Sequence, residues 1–118
     1  MDDLTDNSTE NLKNIREKLE SFLNYPQKEI SLKEVEKIIL TKLGCVREKS
    51  KGGSAVKYSH TVLENHPRFT AGIFSIHMIH GKSKNKPMVR KRDFKQYMWP
   101  ALEIILNDLE GEQSETSK

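Results

Sequence analysis

The stretch GIFSIHMIH, residues 72–80, alternates apolar and polar side chains with a period of two. That alternation is what a half-buried strand requires, because successive side chains leave a strand on opposite faces. Phe74, Ile76 and Met78 share the face expected in a core, which turns Ser75 and His77 to the other side. Upstream, AVKYSH (55–60) has the same period, with Val56 and Tyr58 inward and Ala55, Lys57 and Ser59 outward. CVREK (45–49) completes three expected strands. The first pair is joined through Ser50 to Ser54, the second through an irregular stretch containing Pro67. The open face of such a sheet is polar and cationic.

Around these strands the period is helical. In TENLKNIREKLESFLNYP, Leu12, Ile15, Leu19, Phe22 and Leu23 recur at helical spacing and Pro26 closes the run, predicting a helix near 9–24. Its narrow stripe packs against the domain or against a second copy, which makes a homodimer a candidate assembly. In ISLKEVEKIILTKLGC, Ser31 followed by Glu34 has the spacing of a capping box. Leu32, Val35, Ile38, Ile39 and Leu43 form the apolar face, and Gly44 supplies the stop. After the strands, MVRKRDFKQYMWPALEIILNDL places Val89, Phe94, Met98, Leu102, Ile105 and Leu109 at helical intervals. Pro100 interrupts that helix and predicts a kink or restart near Trp99, because proline removes a hydrogen bond and clashes one turn back.

The expected fold class is therefore α+β, in the order α-α-β-β-β-α, with helices on one face of a three-stranded antiparallel sheet. Residues 1–27 read as an N-terminal helical extension, 28–110 as the domain and 111–118 as a disordered acidic tail. A length of 118 residues leaves no room for a second domain. No apolar run approaches membrane-spanning length, and the acidic start differs from the basic, then apolar, start of a signal peptide, so no membrane partner is expected and the cytoplasm is the expected compartment. Cys45 is the single cysteine and reads as a small core residue.

Charge is unevenly distributed along the chain. Residues 44–99 carry 12 basic side chains against Glu48, Glu64 and Asp93, net +9, within a chain of net +3. Such a segment, interleaved with Gly, Ser and His, points to a polyanion partner. Lys51, Lys57, Lys82, Lys84 and Lys86 with Arg90, Lys91 and Arg92 form two clusters that the hairpins could bring together, and Gly53 and Ser54 lie in a turn whose backbone N–H groups could approach a phosphate.

A helix ending at Leu43-Gly44, the basic hairpin KGGSAVKYSH (51–60), the strand end IHMIHG (76–81) and the basic lead KPMVRKRDF (86–94) together resemble the HicA family of bacterial toxin-antitoxin systems, over about residues 31–109. The resemblance implies a fold like a double-stranded-RNA-binding domain, cofactor-free and metal-independent endoribonuclease action on messenger RNA, and a HicB-like antitoxin partner. Better-known members carry their catalytic histidine directly after the Gly-Ser of the hairpin; here Ala55 stands at that position. Cleavage through the neighbouring 2′-hydroxyl needs a proton acceptor and cations about the phosphorus, and histidine is the side chain that titrates near neutrality. His77, on the same expected face as Ala55, and His80, at the start of the basic loop, are the candidate replacements. The bland readings are an exposed strand histidine for His77 and a turn cap for His80.

Other signals are weaker. His60 and His66 read as loop surface. A metal site on His77 and His80 is disfavoured, since residues three apart on a strand face opposite ways and no third ligand is evident. GKS (81–83) lacks the glycine five residues upstream that a phosphate loop requires, Ile76 standing there. No helix-turn-helix precedes VRKRDFKQYMW. Three classes remain: an RNA-cleaving toxin, a non-catalytic RNA-binding domain of the same fold, and a protein-interaction module for an acidic partner. With Tyr58 inward and Trp99 in the last helix, no exposed aromatic platform is expected, and lysines alone suit duplex RNA.

Overall fold

The structure is a computed structural model and describes residues 3–49, 55–80 and 86–116. Its elements run α1 (Asp3–Leu23), β1 (Glu29–Ser31), α2 (Leu32–Thr41), β2 (Val46–Arg47), β3 (Ala55–Ser59), β4 (Ile73–His77), β5 (Ile79–His80), β6 (Pro87–Arg90), α3 (Lys91–Asp93) and α4 (Trp99–Thr116). Short 3-10 turns, Thr61–Leu63 and Thr70–Gly72, lie between β3 and β4, and a π-helical turn, Phe94–Met98, joins α3 to α4. The class is α+β with antiparallel pairing throughout. No helix among the described residues is long and apolar enough to cross a membrane.

The three strands expected from alternation form one sheet, ordered β2-β3-β4. Its register pairs Ala55 with His77, Val56 with Ile76, Lys57 with Ser75 and Tyr58 with Phe74. Val56, Tyr58, Phe74 and Ile76 are buried, whereas Lys57, Ser75 and His77 are exposed. Parity sorted these side chains because one face of the sheet enters the core and the other does not.

The continuous strand expected over 72–80 breaks at Met78. Beyond it β5 leaves for a second sheet, ordered β1-β6-β5, in which Ile30 pairs with Val89 and Ile79 with Met88. His77 and His80 thus belong to different sheets rather than to opposite faces of one strand. The helix expected from Met88 starts only at Lys91, since Val89 is fully buried as a strand residue opposite Ile30. Pro87 opens β6, a position that tolerates a missing N–H.

α2 buries Leu32, Val35, Ile38 and Ile39 against the core, as its periodicity predicts. Ser31 is the N-cap residue of α2 and the last residue of β1, but its side chain makes no cap hydrogen bond, so the expected capping box does not form. Past α2, Gly44 adopts φ +84 and lets the Cys45 N–H donate to the Ile39 carbonyl at 3.0 Å. Cys45 is buried, as expected.

α1 belongs to the same core. Leu19 is fully buried, and the Phe22 ring meets Phe94 edge-on at 5.7 Å. Arg16 ties α1 to α4 by donating through Nε to Glu110 Oε2 (2.8 Å) and through Nη2 to Asn107 Oδ1 (2.7 Å). The restart expected near Trp99 occurs: the Trp99 N–H reaches the Phe94 carbonyl, five residues back, and α4 begins there with Pro100 in its first turn. α4 then continues to Thr116, where polar composition predicted a disordered tail; helix propagation from the packed turns at Ala101–Leu106 extends through the polar end.

Candidate nucleic-acid interface

The exposed face of β4 lies between its partner strand β3 and the turn that follows β6. Within the first sheet, Ala55 faces His77 across the β3–β4 ladder, and Lys57 faces Ser75. From the second sheet β6 ends at Arg90, and the chain turns at once into α3 and the π turn, which packs alongside β4. The result is a cleft of about 360 Å³. Ala55, Ser75 and His77 form one wall, and Arg90, Arg92, Asp93 and Tyr97 form the other.

The two walls differ in chemistry. His77 and Ser75 offer a titratable ring and a hydroxyl on an exposed strand surface. Opposite them stand two guanidiniums that carry charge at every physiological pH. Arg92 Nε lies 3.6 Å from Asp93 Oδ1, with the Arg92 side chain 74% exposed and the Asp93 side chain 12% exposed. That separation is a loose ion pair with most of the guanidinium left in solvent.

Tyr97 was missed by sequence reasoning, which found no exposed aromatic platform; its residue is 50% exposed. Phe94 and Met98, on either side of it in the π turn, are fully buried and fix the turn against the core. The available signal was an aromatic lying off the 94-98-102-105 stripe, directly after the basic run.

A second concavity, about 400 Å³, adjoins the first and shares Arg90 and Arg92 with it. Its other lining residues are Lys28, Glu29 and Lys91. Lys91 is fixed at both ends: its backbone N–H donates to the Lys28 carbonyl at 2.8 Å, and its Nζ donates to the Tyr25 carbonyl at 2.9 Å. Lys28 was not singled out from the sequence, because only the β1–β6 pairing brings it beside the 90–92 cluster.

Of the residues expected to carry function, His77, Arg90 and Arg92 meet in the cleft, and Lys91 lies in the adjoining basin. Lys57 is exposed on the same sheet face as His77, and Lys86 is exposed just before β6. His80 lies in β5, backbone-paired with Pro87. Lys51, Gly53, Ser54, Lys82 and Lys84 lie outside the described residues, as does the Gly-Gly-Ser turn itself.

The remaining histidines and the cysteine have structural surroundings. His60 Nδ1 accepts from the Val62 N–H at 3.0 Å and its Nε2 donates to the Leu43 carbonyl at 2.8 Å, so the ring is a bracket between two loops rather than loop surface. His66 Nδ1 accepts from the Arg68 N–H at 3.2 Å. Burial pushes the Cys45 thiol up to about 12, which removes it as a nucleophile. Among the described residues no group of three or more His, Cys, Asp or Glu side chains is placed to hold a metal ion. Comparison with family models, with curated proteins and with solved structures finds no match to this chain.

Proposed function

We propose that the protein is an RNA-binding toxin of the HicA type, with a fold like a double-stranded-RNA-binding domain, acting in the cytoplasm as a messenger-RNA endoribonuclease and held in check by a HicB-like antitoxin. The observation that carries this reading is the direct pairing of Ala55 with His77 in a cleft walled by Arg90 and Arg92. A histidine thereby stands across the ladder from the position at which the resembled family has its own.

In the proposed reaction His77 takes the proton of a ribose 2′-hydroxyl, and the 2′-oxygen forms a bond to phosphorus as the bond to the 5′-oxygen breaks. The leaving oxygen takes a proton from water, and the products are a cyclic phosphate and a free 5′-hydroxyl. Arg90 and Arg92 offset the extra negative charge on the phosphorane, which is the state such cations bind best.

The test is cleavage of RNA by the purified protein in EDTA. His77→Ala is expected to abolish cleavage while leaving salt-dependent RNA binding in place, because proton transfer contributes to the transition state and not to phosphate attraction. Cleavage undiminished in His77→Ala refutes the assignment. Ala55 supports a second reading, a non-catalytic RNA-binding domain of the same fold; wild-type protein that binds RNA and never cleaves it would establish that one. Binding of an acidic protein in preference to RNA would favour an interaction module instead.

A further inference from the structure

We propose that the ligand of this face is an unpaired RNA strand, with one base stacked on Tyr97 and two successive phosphates divided between the Arg90/Arg92 cleft and the Lys28/Lys91 basin. The proposal rests on the RNA-binding reading above and adds the form of RNA and a subsite that reading does not contain.

The first observation is the aromatic ring. Among the described residues Tyr97 and Val46 are the large hydrophobic side chains left exposed, and Tyr97 is the one that lines a cleft. Its π turn is clamped by Phe94 and Met98, both fully buried, so little backbone freedom is lost when a base settles on the ring. A tyrosine offers a flat apolar face with only two side-chain torsions to fix, which suits it to stacking. In a duplex both faces of every internal base are already occupied by neighbours, and A-form RNA presents phosphates and 2′-hydroxyls to proteins instead. An exposed ring among cations is the feature that single-strand sites add to a charged groove.

The second observation is the continuity of charge. Arg90 and Arg92 belong to both concavities, so a chain leaving the cleft passes directly into the basin. The charged groups along this path are Lys28, Arg90, Lys91 and Arg92, against Glu29 and Asp93. Lys91 is tethered to the Tyr25 carbonyl and contributes a fixed charge. Among the described residues Lys28 makes no ion pair, and it lines the basin, where a second phosphate would arrive, but not the cleft.

The experiment is fluorescence anisotropy with an end-labelled, unstructured oligoribonucleotide and with an RNA duplex of the same length, at matched salt. The single strand is expected to bind more tightly. Tyr97→Ala should weaken it by roughly 5- to 150-fold, the 1–3 kcal/mol of a base–aromatic stack, and should leave duplex binding unchanged. Tyr97→Phe keeps the ring and should bind within about twofold of wild type. Lys28→Gln should reduce the log–log salt slope for the single strand by about 0.7. Because Tyr97 is half exposed, the variants should melt with the wild type, which calorimetry checks. Duplex preferred over single strand, an unaffected Tyr97→Ala, or a Tyr97→Phe as weak as Tyr97→Ala would overturn the proposal while leaving RNA binding intact. Failure of both RNAs to bind at low salt would remove the underlying reading instead.

Discussion

Alkali should weaken this fold through the buried Cys45 thiol as the pH rises above 9. Cys45 is 4% exposed in the core between α2 and β2. Burial raises its pKa from the ordinary 9.0 to about 12. The unfolded chain releases this proton first, so the thiol's contribution is complete below pH 9 and is lost as the pH climbs towards 12, at up to about 1.4 kcal/mol per pH unit. At pH 10.5 its share comes to roughly 2 kcal/mol, a large part of the 5–15 kcal/mol that holds a small domain folded. Tyr58 adds to the decline above about pH 10, since burial and its hydrogen bond to the Glu36 carboxylate both raise its pKa. Cys45→Ala separates the two contributions. The variant is expected to be the less stable at pH 8, because it leaves a small cavity, and to lose about 2 kcal/mol less than wild type between pH 8 and 10.5. Urea unfolding at the two pH values, with m held common, reads the difference directly. A gap between the two proteins that stays constant across this range would show that Cys45 is not desolvated as described.

Gly72→Ala should destabilise the domain by roughly 2 kcal/mol or more, because Gly72 has φ +72 and a Cβ there would lie 2.8 Å from the His60 carbonyl oxygen; a melting temperature equal to wild type would contradict that close approach. Leu19→Ala should cost about 2–5 kcal/mol by thermal or urea unfolding, as α1 is part of the core; a loss below about 0.5 kcal/mol would make α1 an accessory.

The parts of the fold legible in the sequence were those governed by local period. β3 and β4 alternate strictly, so Val56, Tyr58, Phe74 and Ile76 could be sorted from Lys57, Ser75 and His77 without knowledge of their partners. α2 was equally readable, its stripe being wide and ended by Gly44. The second sheet was hidden for a physical reason. β1 has three residues and β6 four, too few to establish a period, and β1 is defined by a partner that lies about half the chain away. The same blindness hid half of the cleft. His77 followed from strand parity, but Asp93 reaches the cleft through α3 and Tyr97 through the π turn, while Lys28 reaches the adjoining basin through the β1–β6 pairing, none of which leaves a periodic trace. His60 was misread because a loop histidine with two backbone partners looks, in sequence, like any other loop histidine.

The central position of β6 also bears on how the chain is made. β1 and β5 both pair with β6, a strand synthesised after each of them. While the ribosome is still working upstream of Pro87, those two segments have their inner edges open, and β1 must wait across an intervening stretch whose closure carries an entropic penalty that grows with the logarithm of its length. Arg90 reaches the cleft in the same event that docks β6. A nascent or truncated chain therefore has His77 on its hairpin without the guanidinium wall, and the cleft acquires its cationic half only as synthesis of the domain nears its end.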